Sequence, residues 1–175
     1  TSIGENAFFW CKTITNVTIP SSVESIGTSA FSDCKGLVSI EIPNGVKNIG
    51  GSAFQNCIGL KEATISGSVI SIGDYAFSGC YDSGSESESI PKSGLESVVI
   101  DEGVKSIGTF AFSGCKKLTN ITLPDSIVSI GVNAFESTAF YNEWFYSDDS
   151  ECDVLYIGNH LISASQSEAT ECDIK

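Results

Sequence analysis

Residues 26–34 read Ile-Gly-Thr-Ser-Ala-Phe-Ser-Asp-Cys, and the pattern Ile-Gly-x-x-Ala-Phe-x-x-Cys occurs five times along the chain. The copies follow one another at intervals of 23 residues, except that the fourth copy carries 12 additional residues. A fixed period of this size is typical of a solenoid, in which each copy forms one layer and packs on its neighbours. The pattern therefore predicts the fold, but it contains nothing that identifies a ligand.

Each copy continues into a segment with the alternation of a half-buried β-strand. In the second copy this segment runs from Leu37 to Ile42, and Pro43 should end it because proline cannot donate to a strand ladder. The equivalent segments are residues 14–19, 60–65, 95–100 and 118–123. We therefore expect five parallel strands, stacked about 4.8 Å apart and each followed by a polar turn.

Two further segments should close each layer. The pattern Val-x-x-Ile-Gly, as at residues 46–50, would return apolar side chains to the core. The Ala-Phe-x-x-Cys stretch is long enough only for a turn of helix or 3₁₀ helix. Its phenylalanines would fill successive layers, and replacing a central one by alanine should cost about 3–5 kcal/mol. This column contains Phe8, Phe31, Phe54, Phe77, Phe112 and Phe135.

The repeat resembles the leucine-rich repeats, and within them the BspA-like (Treponema pallidum type) family of bacterial surface proteins. The resemblance rests on the run Ala-Phe-x-x-Cys-x-x-Leu-x-x-Ile-x-(Ile/Leu)-Pro, which is clearest at residues 30–43 and 111–124. It implies a leucine-rich repeat solenoid with a parallel β-sheet on the concave side. Short turns of helix or 3₁₀ helix and short extended segments would form the other sides.

Two regions are expected along the chain. Residues 1–139 would form the array, and residues 140–175 an aromatic capping segment with a hairpin, since Gly158-Asn159 is a turn signal. The resemblance implies that this segment leads into a second array, and the absence of methionine suggests part of a longer protein. The repeats would start at residues 3, 26, 49, 72, 107 and 130, with an insertion at 82–94.

The composition argues against several classes of partner. The 175 residues have a formal net charge of −13, and all nine basic residues are lysines. Nucleic acids and anionic membranes attract clustered positive charge, so we expect neither nucleic-acid binding nor direct membrane binding. No segment has the roughly 18 consecutive apolar residues of a membrane span.

The cysteine column is expected to be structural. Zinc ligands converge on one point, whereas a column spreads them along a line, and unpaired cysteines are often buried. We therefore predict reduced, buried thiols and no metal or cofactor. The column contains Cys11, Cys34, Cys57, Cys80 and Cys115. Cys152 and Cys172 lie outside it and could form a local disulfide or remain free.

Other features favour plain interpretations over functional ones. The insertion has the composition of a solvated loop, although Asp82, Glu86 and Glu88 leave a partner or cation contact open. The aromatic residues after the array favour a lid over its last layer rather than a sugar-stacking platform. They are Phe140, Tyr141, Trp144, Phe145 and Tyr146. Trp10 should be exposed, because polar residues or glycine occupy its position in other copies.

Catalysis is not indicated, because His160 is the only histidine and the common nucleotide-binding and zinc-protease motifs are absent. We expect a recognition module whose ligand, if any, binds the outward positions of the concave sheet. These positions are Asn16, Thr18, Ser39, Glu41, Glu62, Thr64, Ser97, Val99, Asn120 and Thr122. They are small and mildly acidic, without the aromatic residues or arginine that dominate many interfaces.

The resemblance implies adhesion by a secreted or cell-surface bacterial protein. The partner would be a host matrix protein, another cell-surface protein or a glycan. The alternative is a structural spacer or stalk that carries another functional segment.

Overall fold

The computed structural model describes residues 1–80, 94–145, 154–157 and 159–164. Six successive copies, layers 1 to 6, stack into a solenoid with two parallel sheets, which confirms the predicted fold class. The long-strand sheet contains four strands, β3 (Ser39–Ile42), β5 (Glu62–Ile65), β7 (Ser97–Ile100) and β9 (Asn120–Thr122). The short-strand sheet contains β1 (Ser2–Ile3), β2 (Ser25–Ile26), β4 (Asn48–Ile49), β6 (Ser71–Ile72), β8 (Ser106–Ile107) and β10 (Ser129–Ile130).

Equivalent residues of successive layers lie directly beside one another. In the short-strand sheet Ser25 pairs with Asn48, which is one repeat of 23 residues further along the chain. Across the insertion, Glu62 still pairs with Ser97 in the long-strand sheet. The register of the long-strand sheet is therefore the same on both sides of the insertion.

The prediction of a strand in layer 1 is wrong. Residues 14–19, which include Asn16 and Thr18, form no strand. Among the described residues, one main-chain hydrogen bond joins this segment to layer 2, from the Val38 amide to the Thr15 carbonyl at 3.1 Å. Ile14 and Val17 of this segment are only half-buried, so apolar burial holds it weakly against layer 2.

The segment between the two sheets is a series of hydrogen-bonded turns rather than the expected turn of helix. In layer 2 the Ser32 amide bonds within the layer to Ser29 at 3.1 Å, whereas the Phe31 amide bonds to Ala53 of layer 3 at 2.8 Å. Alternate amides therefore join neighbouring layers, which a helix cannot do because its amides bond along its own axis. Left-handed residues such as Ser29 (φ 53°) produce this alternation.

The phenylalanine column forms a continuous stack through the array. Ring centroids of successive phenylalanines lie 5.0 to 5.5 Å apart and their planes differ by 3 to 11°. The rings of layers 2 to 6 are at most 1% exposed, while Phe8 of layer 1 is 39% exposed. The predicted column is therefore the central filler of the core, open at its first layer.

The array ends where layer 6 replaces the column cysteine with Thr138. Its hydroxyl donates to the Phe135 carbonyl at 2.8 Å and accepts the Tyr141 amide at 3.3 Å. The second bond is that of a helix N-cap, and helix α1 (Ala139–Phe145) follows directly. Phe140 packs on Phe135 with ring centroids 5.8 Å apart and planes at 54°, so the helix covers the end of the stack.

An antiparallel hairpin follows the helix. Strands β11 (Val154–Ile157) and β12 (His160–Ala164) pair in the segment predicted to form a hairpin. Ile157 and Ile162 pack against the core of the array. Tyr146, the insertion residues 82–93, Cys152, Cys172 and the expected start of a second array lie outside the described residues. No described helix is long and apolar enough to cross a bilayer.

Candidate binding surface

The long-strand sheet presents one face to solvent because its strands alternate. In β3, Ile40 and Ile42 are buried and Ser39 and Glu41 are exposed, and β5 repeats this pattern. Of the candidate residues, Ser39, Glu41, Glu62, Thr64, Val99, Asn120 and Thr122 are exposed and Ser97 is half-buried. Asn16 and Thr18 are exposed in the irregular segment of layer 1. We call the outward side of β3, β5, β7 and β9 the ladder face.

The ladder face consists of two rows in register. One row runs through Ser39, Glu62, Ser97 and Asn120, and the other through Glu41, Thr64, Val99 and Thr122. Glu41 and Glu62 therefore lie on neighbouring strands, and neither forms an ion pair with any described residue. Two unpaired carboxylates on adjacent strands favour a cationic group between them.

A shallow depression of about 180 Å³ lies at the layer 1 end of the ladder face, lined by Val17, Thr18, Ile19, Glu41 and Pro43. Small-molecule sites usually enclose roughly 300–1,000 Å³. An extended surface of this kind suits a macromolecular partner better than a small molecule.

The cysteine column is buried and makes the same contact in layers 2 to 5, whereas Cys11 of layer 1, predicted to be buried, is half-buried. The thiols of Cys34, Cys57, Cys80 and Cys115 donate to the phenylalanine carbonyl of the preceding layer at 3.1 to 3.2 Å. Desolvation by burial raises the pKa of Cys34 to about 11, and it also raises the pKa of Cys57 and of Cys80 well above the usual value of a thiol. Thiols held protonated in this way are poor nucleophiles and poor metal ligands. The column therefore serves packing.

His160 is used in docking the hairpin. Its Nε2 lies 3.0 Å from the Pro124 carbonyl, which can only accept, so Nε2 carries the proton. Asn159 donates to the Asp125 carboxylate at 3.1 Å. Among the described residues, no group of three or more His, Cys, Asp or Glu side chains could hold a metal ion.

Comparisons with known proteins agree with this geometry. Residues 1–93 and 86–167 match the family described as "BspA type leucine rich repeat region (6 copies)". The chain belongs to the BspA-type leucine-rich repeat family. Leucine-rich repeat domains generally mediate protein interactions, and family members are generally non-enzymatic binding modules. No curated protein matches the chain.

Three solved structures place this BspA-type repeat protein among bacterial relatives. A leucine rich cell surface protein from Faecalibacterium prausnitzii is 35% identical with a TM-score of 0.66, over 79% of this chain and 35% of that one. The Treponema pallidum leucine rich repeat protein is 29% identical with a TM-score of 0.55, over 78% and 69%. A leucine-rich repeat protein from Eubacterium ventriosum is 27% identical with a TM-score of 0.62, over 78% and 41%.

The chain spans about a third of the length of the Faecalibacterium protein, of which it covers 35%. The activity and partners of a whole protein of this type are therefore matters for a proposal.

Sequence reasoning missed a second exposed surface of this repeat protein. Large apolar side chains are exposed on the outward side of the short-strand sheet in layers 4 to 6, among them Val128 at 81% and Val132 at 71%. A comparison of equivalent positions between layers could have revealed this surface, because the same columns contain no large apolar residue in layers 1 to 3. Trp10 is 59% exposed, as its column predicts, with Lys12 Nζ 4.2 Å from its ring centroid.

Proposed function

We propose that this chain is a non-catalytic module that binds a protein partner through the ladder face, as part of a secreted or cell-surface bacterial protein. The observation that carries the proposal is the ladder face itself, two in-register rows of mostly exposed side chains on a rigid parallel sheet. Side chains held by regular strands are ordered before binding, which lowers the entropic cost of association. The description of the Faecalibacterium relative as a cell surface protein supports the location.

The outward residues of the ladder face are free to serve binding because the fold does not fix them. Inward positions of the same strands keep an aliphatic residue in each layer, whereas the outward row at Ser39 continues as Glu62, Ser97 and Asn120. A position that changes its chemistry from layer to layer contributes little to stacking. Its side chains are therefore available for contact with a partner.

The charge of the ladder face indicates the chemistry of the partner. Glu41 and Glu62 are exposed and unpaired within the described residues, and Glu96 and Asp101 flank β7. A partner surface that carries lysine or arginine would meet these carboxylates and be attracted by the net charge of −13. Because the face has no aromatic residue or arginine, affinity would be spread over many small contacts.

Binding of the chain to immobilised fibronectin and collagen tests the proposal. The triple variant Glu41→Arg, Glu62→Arg and Thr64→Arg should lose binding, because it places bulk and positive charge on the ladder face. The matched control Glu5→Arg, Glu24→Arg and Thr28→Arg makes the same change in net charge at exposed positions off that face and should retain binding. No binding by the unaltered chain, or equal loss in both triples, would contradict the proposal.

The second candidate function is that of a spacer or stalk. It is favoured by the absence of aromatic and arginine side chains from the ladder face, where binding hot spots usually contain them. A spacer would show no affinity of its own in the same assay. In a longer protein that contains this array, the triple substitution on the ladder face would then leave adhesion intact.

A further inference from the structure

The outward side of the short-strand sheet differs between the first three layers and the last three. Three columns flank the serine or asparagine of each short strand: the residue two positions before each repeat isoleucine, and the residues two and three positions after it. In layers 1 to 3 they contain no apolar residue: Thr1, Glu24, Lys47, Glu5, Thr28, Gly51, Asn6, Ser29 and Ser52. In layers 4 to 6 five of the nine are apolar: Ile70, Lys105, Val128, Asp74, Thr109, Val132, Tyr75, Phe110 and Asn133.

The five apolar residues form what we call the apolar corner: Ile70, Tyr75, Phe110, Val128 and Val132. Ile70 is 50% and Tyr75 41% exposed, in addition to the two strongly exposed valines. The rings of Tyr75 and Phe110 stack with centroids 5.1 Å apart and planes at 14°. The Phe110 amide bonds to the Val132 carbonyl at 3.0 Å, so these two residues are backbone neighbours in layers 5 and 6.

The fold does not require these residues. Tyr75 and Phe110 have left-handed backbone conformations, with φ of 58° and 55°. The same column holds Asn or Ser in the other four layers, and a bulky side chain is unusual in this conformation. Layers 1 to 3 stack in the same register without any apolar residue at these positions. Exposed apolar patches of this kind commonly mark interaction sites.

We propose that the apolar corner docks a basic polypeptide segment that carries aliphatic or aromatic side chains. A second copy of the chain is a poor occupant, because each copy carries a net charge of −13 and the two would repel. A segment that contains lysine or arginine is attracted instead, and its cation can lie over the Tyr75 ring. Lys12 over Trp10 is an example of that contact in this chain.

The charges within the corner cancel, so its apolar side chains determine which segment can bind there. Lys105 lies between Ile70 and Val128 in one column. Asp74 is already engaged, since its carboxylate accepts the Thr109 amide at 2.8 Å. The two charges balance, so the corner is a neutral apolar patch on a strongly acidic protein. Apolar anchors would therefore fix the segment in place, and its positive charges would bring it to the surface.

The test uses a fluorescent peptide of alternating Arg and Leu, and its binding to the full chain is followed by anisotropy. Two control peptides replace every Leu by Ser or every Arg by Glu. The corner variant is Ile70→Lys, Tyr75→Ser, Phe110→Ser, Val128→Glu and Val132→Thr. Each introduced residue type already occurs in the same column of another layer, and the net charge is unchanged. The natural examples are Lys47, Ser52, Ser29, Glu24 and Thr28.

We expect the Arg-Leu peptide to bind the unaltered chain at least about tenfold more tightly than either control peptide, and the corner variant to lose at least about tenfold in affinity. Val38→Thr removes a valine that is 42% exposed and lies outside both the corner and the two rows of the ladder face, so it should leave binding unchanged. The single substitution Val128→Glu, at a position 81% exposed, should weaken binding without affecting folding.

Several outcomes would overturn the proposal. Absence of peptide binding, equal binding by the corner variant, or equal binding of the Leu-to-Ser peptide would show that the apolar side chains do not dock the segment. Self-association that the corner variant abolishes would assign the corner to a second copy. Binding to phosphatidylcholine vesicles that the same variant abolishes would assign it to a lipid surface. Since the ladder-face triple leaves the corner intact, the two surfaces are tested independently.

Discussion

The inward-facing columns of the array repeat one residue in almost every layer, whereas the outward-facing columns change from layer to layer. The inward columns hold the stacked phenylalanines, the buried thiols and the glycine that follows each repeat isoleucine. Each phenylalanine stacks on its equivalents in neighbouring layers, and each thiol or glycine lies against the backbone of the preceding layer. Stacking therefore determines the inward residues, and only contacts outside the array can determine the outward ones.

The largest expected effect comes from the glycine column. A Cβ at Gly50 would lie 2.7 Å from the Gly27 carbonyl carbon and the Thr28 amide nitrogen, both of which are backbone atoms that cannot move alone. Gly50→Ala should therefore prevent folding or cost about 4–5 kcal/mol, measured by urea unfolding. Gly4 holds the same position in layer 1 with nothing within 4 Å, so Gly4→Ala should change stability by less than about 0.5 kcal/mol. Equal effects would contradict the stacking.

The phenylalanine column gives the next largest effect. Phe54 is fully buried between two stacked rings, so Phe54→Ala should destabilise the chain by about 3–5 kcal/mol in the same assay. Phe8→Ala should cost clearly less, because that ring is 39% exposed and stacks on one side only. A cost at Phe8 as large as at Phe54 would mean that the two positions are buried alike.

Alkaline pH should weaken the array through the thiol column. The pKa of Cys34 is raised to about 11 in the folded chain, and an unfolded thiol titrates near roughly 8.5. Between these values the unfolded chain binds fewer protons than the folded chain, so stability is complete below about pH 8.5 and falls as the pH rises toward 11.

Urea unfolding across this range measures the effect of the thiols. Cys34→Ala is the matched control, because it keeps every other titratable group, and it should show a shallower fall. An identical slope in the control would contradict the role given to this thiol.

The end of the array should show a smaller effect. Thr138→Ala removes the N-cap of α1 and should cost about 1 kcal/mol, with a range of about 0.5–2. Thr138→Ser keeps the hydroxyl that accepts the Tyr141 amide and should retain most of that stability. Thermal unfolding monitored by circular dichroism compares the stability of the two variants. If the serine variant were as unstable as the alanine variant, the hydroxyl would not be the stabilising group.

The sequence predicted the inward columns well because stacking imposes one residue type on every layer. It located all six stacked phenylalanines, Phe135 included, although the sixth copy lacks the cysteine. The length of the segment between the two sheets suggested a turn of helix. The better cue to interlayer turns was the residue type at the left-handed positions, which is Asn, Ser, Asp or Gly in most layers. The predicted strand of layer 1 does not form, and its apolar alternation does not reveal that Ile14 and Val17 are only half-buried.

The outward surfaces were only partly predictable. Strand alternation placed Glu41 and Glu62 on the ladder face, because a period of two residues assigns each side chain to one face. The apolar corner depends on the exposure of residues such as Val128 and Val132, which a sequence pattern reads as ordinary core candidates. Whether either surface binds a partner is decided by chemistry outside the chain.

The central claim is that residues 23 positions apart are stacked equivalents. Removal of one whole layer tests this claim most directly. Deletion of residues 26–48 joins Ser25 to Ile49 and keeps every column in register. Urea unfolding should show a cooperative, folded chain of somewhat lower stability, whereas deletion of one residue more or one residue fewer should disrupt folding because all later side chains leave their columns. Equal stability of the three deletions would contradict the account.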